Sequence, residues 1–310
     1  MPKRLFLTGR NGFVGRHVAL ALANPEAAGL AAGAVSIVGP DRYIDLRDES
    51  ALRGAIEDAR PDWVIHLAAQ SFVPQSFSDP RATFDVNFFG TLALLQSLAA
   101  AKFGGRLLFV GSGDQYGLVP ETELPVREMQ PLKPRNPYAV SKVAAEALCY
   151  QWSQTGPFEV VMARPFNHIG PGQSEQFAVS DFARQVAEIK LARRPGVVET
   201  GDIDVTRDFT DVRDVVRAYL LLLAGGRVNG EVYNVCSGVE RTPRELIERL
   251  AALAAVDITI RQDPARLRRA EQRRVCGSHT KIRDAVGWTP ILGIDDSLHS
   301  ILNHWTEELS

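Results

Sequence analysis

Residues 4–23 read RLFLTGRNGFVGRHVALALA, and this stretch decides the fold. An apolar run of strand character comes first, glycines follow at 9, 12 and 15, and an amphipathic helix pattern completes it. In a strand–turn–helix unit each glycine has a separate task. Gly9 permits the tight turn, Gly12 lets the backbone approach a pyrophosphate, and Gly15 lets the helix pack on the strand. The free N–H groups and dipole at the helix start favour an anion, so a dinucleotide's diphosphate is expected there. Gly9, Arg10, Asn11, Gly12, Phe13 and Val14 are therefore candidate cofactor contacts. Three glycines alone are a weak signal; between a strand and a helix at the head of an alternating chain, they predict a doubly wound parallel sheet.

Working outward, AVSIVGP reads as the second strand and ends in Gly39 and Pro40. An acid at that point would hold the adenosine ribose and favour NADH. Its absence, with Arg10 and Arg42 nearby, leans towards NADPH, unless those arginines are merely solvated; NADH stays open. Asp45, in IDLRD, falls where a third strand is expected to end near the adenine, or else caps the helix DESALRGAIEDA. PDWVIHLAAQSFV reads as a fourth strand and its loop, which brings Gln70, Ser71 and Val73 to the ligand crevice. His66 reads as a buried, satisfied histidine, since no second ligand stands at metal spacing. In TFDVNFFGTLALLQSLAAAK, Asn87 and Gly90 are costly in mid-helix, which hints at close packing.

The chemistry is concentrated between Gly111 and Lys142. LLFVGSGDQYG reads as a buried strand that delivers Ser112 to a strand end. NPYAVSKVAAEALCYQW reads as a helix, because Ala139, Val140, Val143, Ala144, Ala147 and Leu148 recur at helical spacing. Tyr138 and Lys142 then share one face, a turn apart. An ammonium beside a phenol favours the phenolate, so the pair predicts a tyrosine that exchanges protons nearer neutral pH. Ser, Tyr and Lys together can protonate a carbonyl oxygen but cannot move a hydride, which leaves that task to the dinucleotide.

FEVVMARPFNHIGPGQ is a strand that ends in a Pro/Gly-rich loop, where strict alternation lapses. We expect a Rossmann-like α/β dinucleotide-binding domain over 1–165, with 206–235 returning to it. A smaller mixed α/β domain over 166–205 and 236–310 is expected to hold the substrate. Within it Arg207 stands among Asp204, Asp208 and Asp211, either as a phosphate ligand or in a solvated ion-pair cluster. ARLRRAEQRR carries five arginines around Glu271, and guanidinium forks suit a diphosphate.

The 310 residues allow a sizeable core, and 45% hydrophobic with 23% charged residues is ordinary for a globular enzyme. A net charge of −2 gives no reason to expect nucleic acid or an anionic membrane. Three cysteines without CxxC spacing suggest reduced thiols in the cytoplasm and no metal site. AYLLLLAGG is too short to span a bilayer.

These stretches resemble the extended short-chain dehydrogenase/reductase family along essentially the whole chain. TGRNGFVG is similar to its TGxxGFxG loop, HLAAQ to its post-strand motif, NPYAVSK to its YxxxK site, and Ser112 to Gly117 to its serine position. The resemblance implies Ser112, Tyr138 and Lys142 as catalytic. It implies Asp45, Leu46, Leu67, Ala68, Ala69 and Arg164, with Tyr138 and Lys142, as further cofactor contacts. RPFNHIGPGQ, RDFTDVRDVV, VYNVCSG and the stretch from RRAEQRR to GSHTK are similar to the branch acting on GDP-mannose derivatives. Reductases of that branch use NADPH or NADH to convert the 4-keto group of GDP-4-keto-6-deoxy-D-mannose, which gives GDP-D-rhamnose. By that likeness Asn167, Arg207, Arg268 and Glu271 would bind the GDP-sugar, with Gln70 and Ser71 in the cleft and Val179 and Lys190 near the guanine. The dehydratases of the branch carry Glu where this chain has Asp114, one methylene shorter, and tend to show RPxEVD where it reads RRAEQR; both differences favour reduction. Asp114 stays a catalytic candidate. A 4,6-dehydratase, a 4-epimerase and a non-catalytic dinucleotide sensor are the alternatives. Relatives often pair through the YxxxK helix, so a homodimer is expected. Spacing leaves open which face of C-4 receives the hydride.

Overall fold

A computed structural model describes residues 1–25, 33–39, 44–226, 228–266 and 272–310. Six strands form one parallel sheet: β1 (Lys3–Thr8), β2 (Val35–Val38), β3 (Trp63–His66), β4 (Arg106–Val110), β5 (Glu159–Pro165) and β9 (Val232–Val235). Their order is β2-β1-β3-β4-β5-β9, all in parallel register. The interposed helices are α1 (Phe13–Ala23), α2 (Glu49–Ala59), the short α3 (Val73–Ser78) and α4 (Pro80–Phe84), α5 (Gly90–Ala100) and α6 (Pro137–Thr155). Side-chain alternation explains the layering. Leu5, Leu7, Leu108, Val161 and Ala163 face a core shared with Val18 of α1 and with Val215, Val216 and Tyr219. Phe6, Leu107, Phe109, Val160 and Met162 face the opposite core, with α2, α5 and α6.

Beyond β5 lie β6 (Asn167–Ile169), α7 (Ala178–Lys190), β7 (Val197–Thr200), β8 (Arg207–Asp211) and α8 (Val212–Ala224). After β9 come β10 (Glu240–Arg241), α9 (Pro243–Ala254), β11 (Thr259–Gln262), α10 (Thr280–Val286) and α11 (Ile294–Leu309). A three-stranded sheet, β10-β8-β6, and a two-stranded one, β11-β7, sit beside a core between α7, α9 and α11. Within the stretch expected to return to the main sheet, α8 and β9 pack there while β8 pairs with β6 and β10. The arrangement is a Rossmann-like α/β fold with smaller mixed sheets.

The third strand expected to end at Asp45 is not found among the described residues; 44–48 runs as coil and turn. Asp45 accepts the Arg47 N–H at 3.0 Å and its guanidinium at 2.6 Å, which closes a turn where a strand would need those groups in a ladder. Asp48, not Asp45, caps α2 by accepting the Ala51 N–H at 3.0 Å.

His66 is buried between two hydroxyls, Nδ1 2.7 Å from Thr8 Oγ1 and Nε2 2.9 Å from Thr91 Oγ1, as expected of a satisfied histidine. Burial pushes its pKa down to about 3, with the Lys142 charge adding to the effect. A base depressed in the folded state loses stability as pH falls: from pH 6.5 towards 3 the unfolded chain binds a proton that the folded chain refuses. Guanidinium titrations should therefore give about 2 kcal/mol less stability at about pH 5 than at pH 7, from 1.36 kcal/mol per pH unit. That difference should shrink in His66→Gln.

Candidate active site

The site lies at the carboxyl ends of β1, β3, β4 and β5, where the loops of a parallel sheet gather. The first of these is the glycine turn. Gly9 has φ +72°, and a Cβ there would lie 2.8 Å from the Ala68 backbone nitrogen. Its carbonyl accepts the Gly12 N–H at 3.0 Å. A Cβ on Gly15 would come within 2.4 Å of that same carbonyl, so Gly15 seats α1 on the loop itself, not on the strand. α1 begins at Phe13 after Gly12 and has no side-chain cap, while Gly9, Asn11 and Gly12 are exposed. A glycine cradle with uncapped N–H groups fits a dinucleotide diphosphate. Leu67, Ala68 and Ala69 line the neighbouring strand end, partly exposed.

β4 runs out through Val110 into a single 3₁₀ turn, Gly113–Tyr116, capped by Ser112, whose Oγ accepts the Asp114 N–H at 3.2 Å. α6 starts opposite: Asn136 Oδ1 accepts the Ala139 N–H at 2.7 Å, and Pro137 occupies the first turn. Tyr138 and Lys142 follow on the buried face, one turn apart. The Ser112 side chain stands close enough to the Tyr138 hydroxyl to act on its titration. Burial, then the Asp114 carboxylate, pushes the Tyr138 phenol above its ordinary pKa, and the Ser112 side chain offsets part of this. Lys142 Nζ donates to the Val110 carbonyl at 2.8 Å and lies 5.3 Å from the Phe109 ring centroid. Burial lowers Lys142 to about 8.

This corrects the expectation that Lys142 makes the phenol acidic. The ammonium is engaged with a backbone carbonyl and is not among the groups acting on Tyr138. The buried phenol, facing an exposed carboxylate, holds its proton more tightly than free tyrosine.

Arg164 also departs from expectation. It is 5% exposed, and its guanidinium forks onto Glu146, Nε to Oε2 at 2.9 Å and Nη2 to Oε1 at 2.5 Å. Nη1 donates to Tyr116 Oη at 2.9 Å and to the Glu128 carbonyl at 3.1 Å. Tyr116 Oη in turn donates to Asn234 Oδ1 at 2.6 Å. A guanidinium committed in this way has no fork left for a phosphate.

In the loop after β3, Gln70 is clamped by Asn87, which accepts its N–H at 2.8 Å and donates to its carbonyl at 3.0 Å. Asn87 also donates to Ser141 Oγ at 3.0 Å, from a π-turn (Asp85–Phe89) between α4 and α5. That accounts for the costly Asn87. Gly90 is required by Leu46, whose Cβ would stand 3.0 Å from an added one. Gln70 Oε1 is buried without a partner, which leaves an acceptor beside exposed Ser71.

Asn167 is exposed at the exit of β5, and the parallel register Asn167↔Phe209 sets it on the strand beside Arg207. The aspartates around Arg207 are used elsewhere. Asp208 accepts Ser237, Gly238 and Gly277 N–H groups, and Asp211 holds Arg213 and the Ser297 hydroxyl. Arg207 Nη1 donates to the Thr206 carbonyl at 2.7 Å. Val179 and Lys190 do not converge on one base. Val179 is 2% exposed inside the α7–α9–α11 core, and eleven residues of helix set Lys190 about 16 Å away. Arg268 and Glu271 lie outside the described residues.

Sequence reasoning passed over Gln115, Glu146 and Ser141, all of them buried polar residues touching the site. The spacing Tyr138, Lys142, Glu146 was the available signal, since residues four apart share a helix face.

Residues 41–301 match the family model described as GDP-mannose 4,6 dehydratase. GDP-6-deoxy-D-mannose reductase of Pseudomonas aeruginosa is 52% identical over 305 residues, 98% of each chain. GDP-mannose 4,6-dehydratase of Yersinia enterocolitica is 28% identical over 82% of this chain and 75% of its own. The structure of RMD from Pseudomonas aeruginosa complexed with NADPH aligns with a TM-score of 0.92 at 49% identity, covering 99% of each chain. UDP-glucose 4-epimerase of Thermus thermophilus in complex with NAD aligns at 0.83 and 30% identity, over 97% of this chain and 98% of its own. With a family model spanning most of its length and a relative sharing half its residues, this chain belongs to the GDP-mannose 4,6 dehydratase family of extended short-chain dehydrogenases/reductases.

Proposed function

We propose that the protein reduces the 4-keto group of GDP-4-keto-6-deoxy-D-mannose to give GDP-D-rhamnose, with NADPH as the preferred reductant. The hydroxyl pair Ser112–Tyr138 at the strand ends, beside an open glycine cradle, carries this reading. The 52% identity to the Pseudomonas reductase supports the substrate. Gly9–Val14 and Leu67–Ala69 would hold NADPH, with Lys142 near its nicotinamide ribose, and the bound cofactor would supply the hydride. Tyr138 gives its proton to the developing alkoxide, and Ser112 steadies that oxygen by a hydrogen bond. A phenol held above its ordinary pKa stays protonated at neutral pH, as a proton donor for reduction must. Gln70, Ser71, Asn167 and Arg207 are the substrate contacts supported by position, while Val179, Arg164 and Asp45 are withdrawn from the binding set.

The test is incubation with GDP-4-keto-6-deoxymannose and each reduced cofactor, with absorbance followed and the product sugar identified by NMR. Steady cofactor oxidation yielding GDP-D-rhamnose is the expected result. Turnover without net oxidation would mean a dehydratase or epimerase, and binding without turnover a sensor. Asp114 in place of the dehydratase glutamate argues against the first.

The pH profile follows from Lys142. Its ammonium form, present below about 8, is the one that donates to Val110 and would hold the ribose. Turnover should be flat through neutral pH and fall as pH rises past about 8, with the limb displaced upward in Lys142→Arg.

We assign the protein to the cytoplasm, among reduced thiols and nucleotide sugars; Cys149, Cys236 and Cys276 are all free and buried. Among the described residues no helix is long and apolar enough to cross a membrane. A homodimer is the proposed assembly. Val140 and Tyr150 on α6 and Phe89 before α5 expose apolar surface at 41%, 53% and 50%. Light scattering at twice the 34.0 kDa chain mass is the check.

A further inference from the structure

The two hydroxyls of the site come from different elements, Ser112 from the turn after β4 and Tyr138 from α6. Both must reach one carbonyl oxygen, so something has to set their relative height. The four-residue 3₁₀ turn is held at its far end by Tyr116, buried beside Phe166 and Cys236, while at its near end Gly113 only rests against the Phe166 ring, where a Cβ would come within 3.2 Å. The link is Gln115, which is fully buried. Its Oε1 accepts the Ser112 N–H at 2.7 Å, and its Nε2 donates to Glu146 Oε2 at 3.0 Å. Glu146 lies two turns beyond Tyr138 and one beyond Lys142, on the same face of α6. Its carboxylate is held from the far side by the Arg164 fork, itself anchored through Tyr116 and Asn234. Gly111 leaves room for the carboxamide, since a Cβ there would stand 2.4 Å from Gln115 Oε1 and 3.3 Å from Glu146 Oε2.

We propose that Gln115 is a positioning residue for the reduction: it ties the Ser112 backbone to α6 and so sets the Ser112 hydroxyl against Tyr138. α6 is thereby clamped to the exit of β4 at two points, by Lys142 on the Val110 carbonyl and by Gln115 between Glu146 and Ser112. A residue that only filled the core would change stability and leave the turnover of folded protein alone. A positioning residue acts through Ser112, so its effect on kcat vanishes once the Ser112 hydroxyl is removed. The proposal rests on the reductase reading above.

The experiment is a double-mutant cycle of Gln115→Leu and Ser112→Ala, with NADPH oxidation followed on GDP-4-keto-6-deoxymannose. Gln115→Leu should lower kcat by about 10- to 100-fold, the scale of a small misplacement at a reacting centre, and leave both KM values within about threefold. The double variant should match Ser112→Ala within about twofold. Gln115→Asn, polar but too short to span both partners, should reproduce the kcat loss with a melting temperature near wild type; this variant also serves if the leucine change unfolds the chain. Normal kcat in either folded variant, or multiplicative losses in the cycle, would overturn the proposal. Amide exchange tests the same link without substrate: the Ser112 amide should exchange faster in Gln115→Leu while α5 is unchanged. Wild-type chain that fails to oxidise NADPH would sink the reductase reading instead. Exchange then decides the strut alone, and unchanged Ser112 protection rejects it.

Discussion

Tyr138→Phe is expected to cut kcat by about 10²- to 10⁴-fold, while KM for the sugar nucleotide moves by no more than a few-fold. That is the range for loss of a positioned general acid, about 3–5 kcal/mol of transition-state stabilisation. The substitution keeps the ring, which is 9% exposed and packed, and deletes only the hydroxyl that stands near Ser112. The interaction lost is one made to the developing alkoxide and not to the ground-state carbonyl, so kcat and kcat/KM should fall together. Ser112 remains as a hydrogen-bond donor and accounts for residual turnover. Steady-state kinetics at saturating NADPH is the measurement, and turnover near the wild-type value would remove Tyr138 from the proposed role. Melting temperature should change little, since a phenyl ring fills the same space.

Glu146→Leu is expected to cause the largest loss of stability of any single change near the site. The Arg164–Glu146 pair has side-chain exposures of 6% and 7%, so both charges are screened almost entirely by each other. Removing the carboxylate strands a buried guanidinium that cannot shed its proton, and also leaves Gln115 Nε2 without its acceptor. Breaking such a pair from one side costs about 3–5 kcal/mol, which corresponds to roughly 5–15 °C in melting temperature for a chain of this size. Calorimetry measures it directly. The double change Glu146→Leu with Arg164→Met should recover much of the loss, because an apolar pair of similar volume needs no compensating charge. If Glu146→Leu melts within a degree or two of wild type, water reaches Arg164 and the pair is not the closed anchor described.

How much of this was readable in the chain follows from the range of each signal. The glycine turn, the helix that carries Tyr138 and Lys142, and the alternation of apolar strands with helices are local patterns, and each appears in the structure. Asp45 misled because a short acidic side chain serves a turn as readily as a strand end near the adenine, and the competition was decided by Arg47 two residues away. α6 is more instructive. Its apolar spacing identified the helix, yet Val140 is exposed and, besides Ala139, the buried residues are Tyr138, Ser141, Lys142, Ala145, Glu146, Cys149 and Ser153. Hydrophobic periodicity finds a core only where apolar residues line it.

The sequence by itself determined the parallel α/β layering, the site of the dinucleotide turn, and the pairing of Tyr138 with Lys142 one turn apart, because these depend on residues within a few turns of each other. Only the tertiary structure decided that Lys142 answers to the Val110 carbonyl, that the Arg164 guanidinium anchors Glu146, and that Ser112 is bound to α6 through Gln115. Those outcomes turn on which buried polar groups satisfy which. That depends on partners such as Asn234 and Glu128, far along the chain, and no local pattern encodes it.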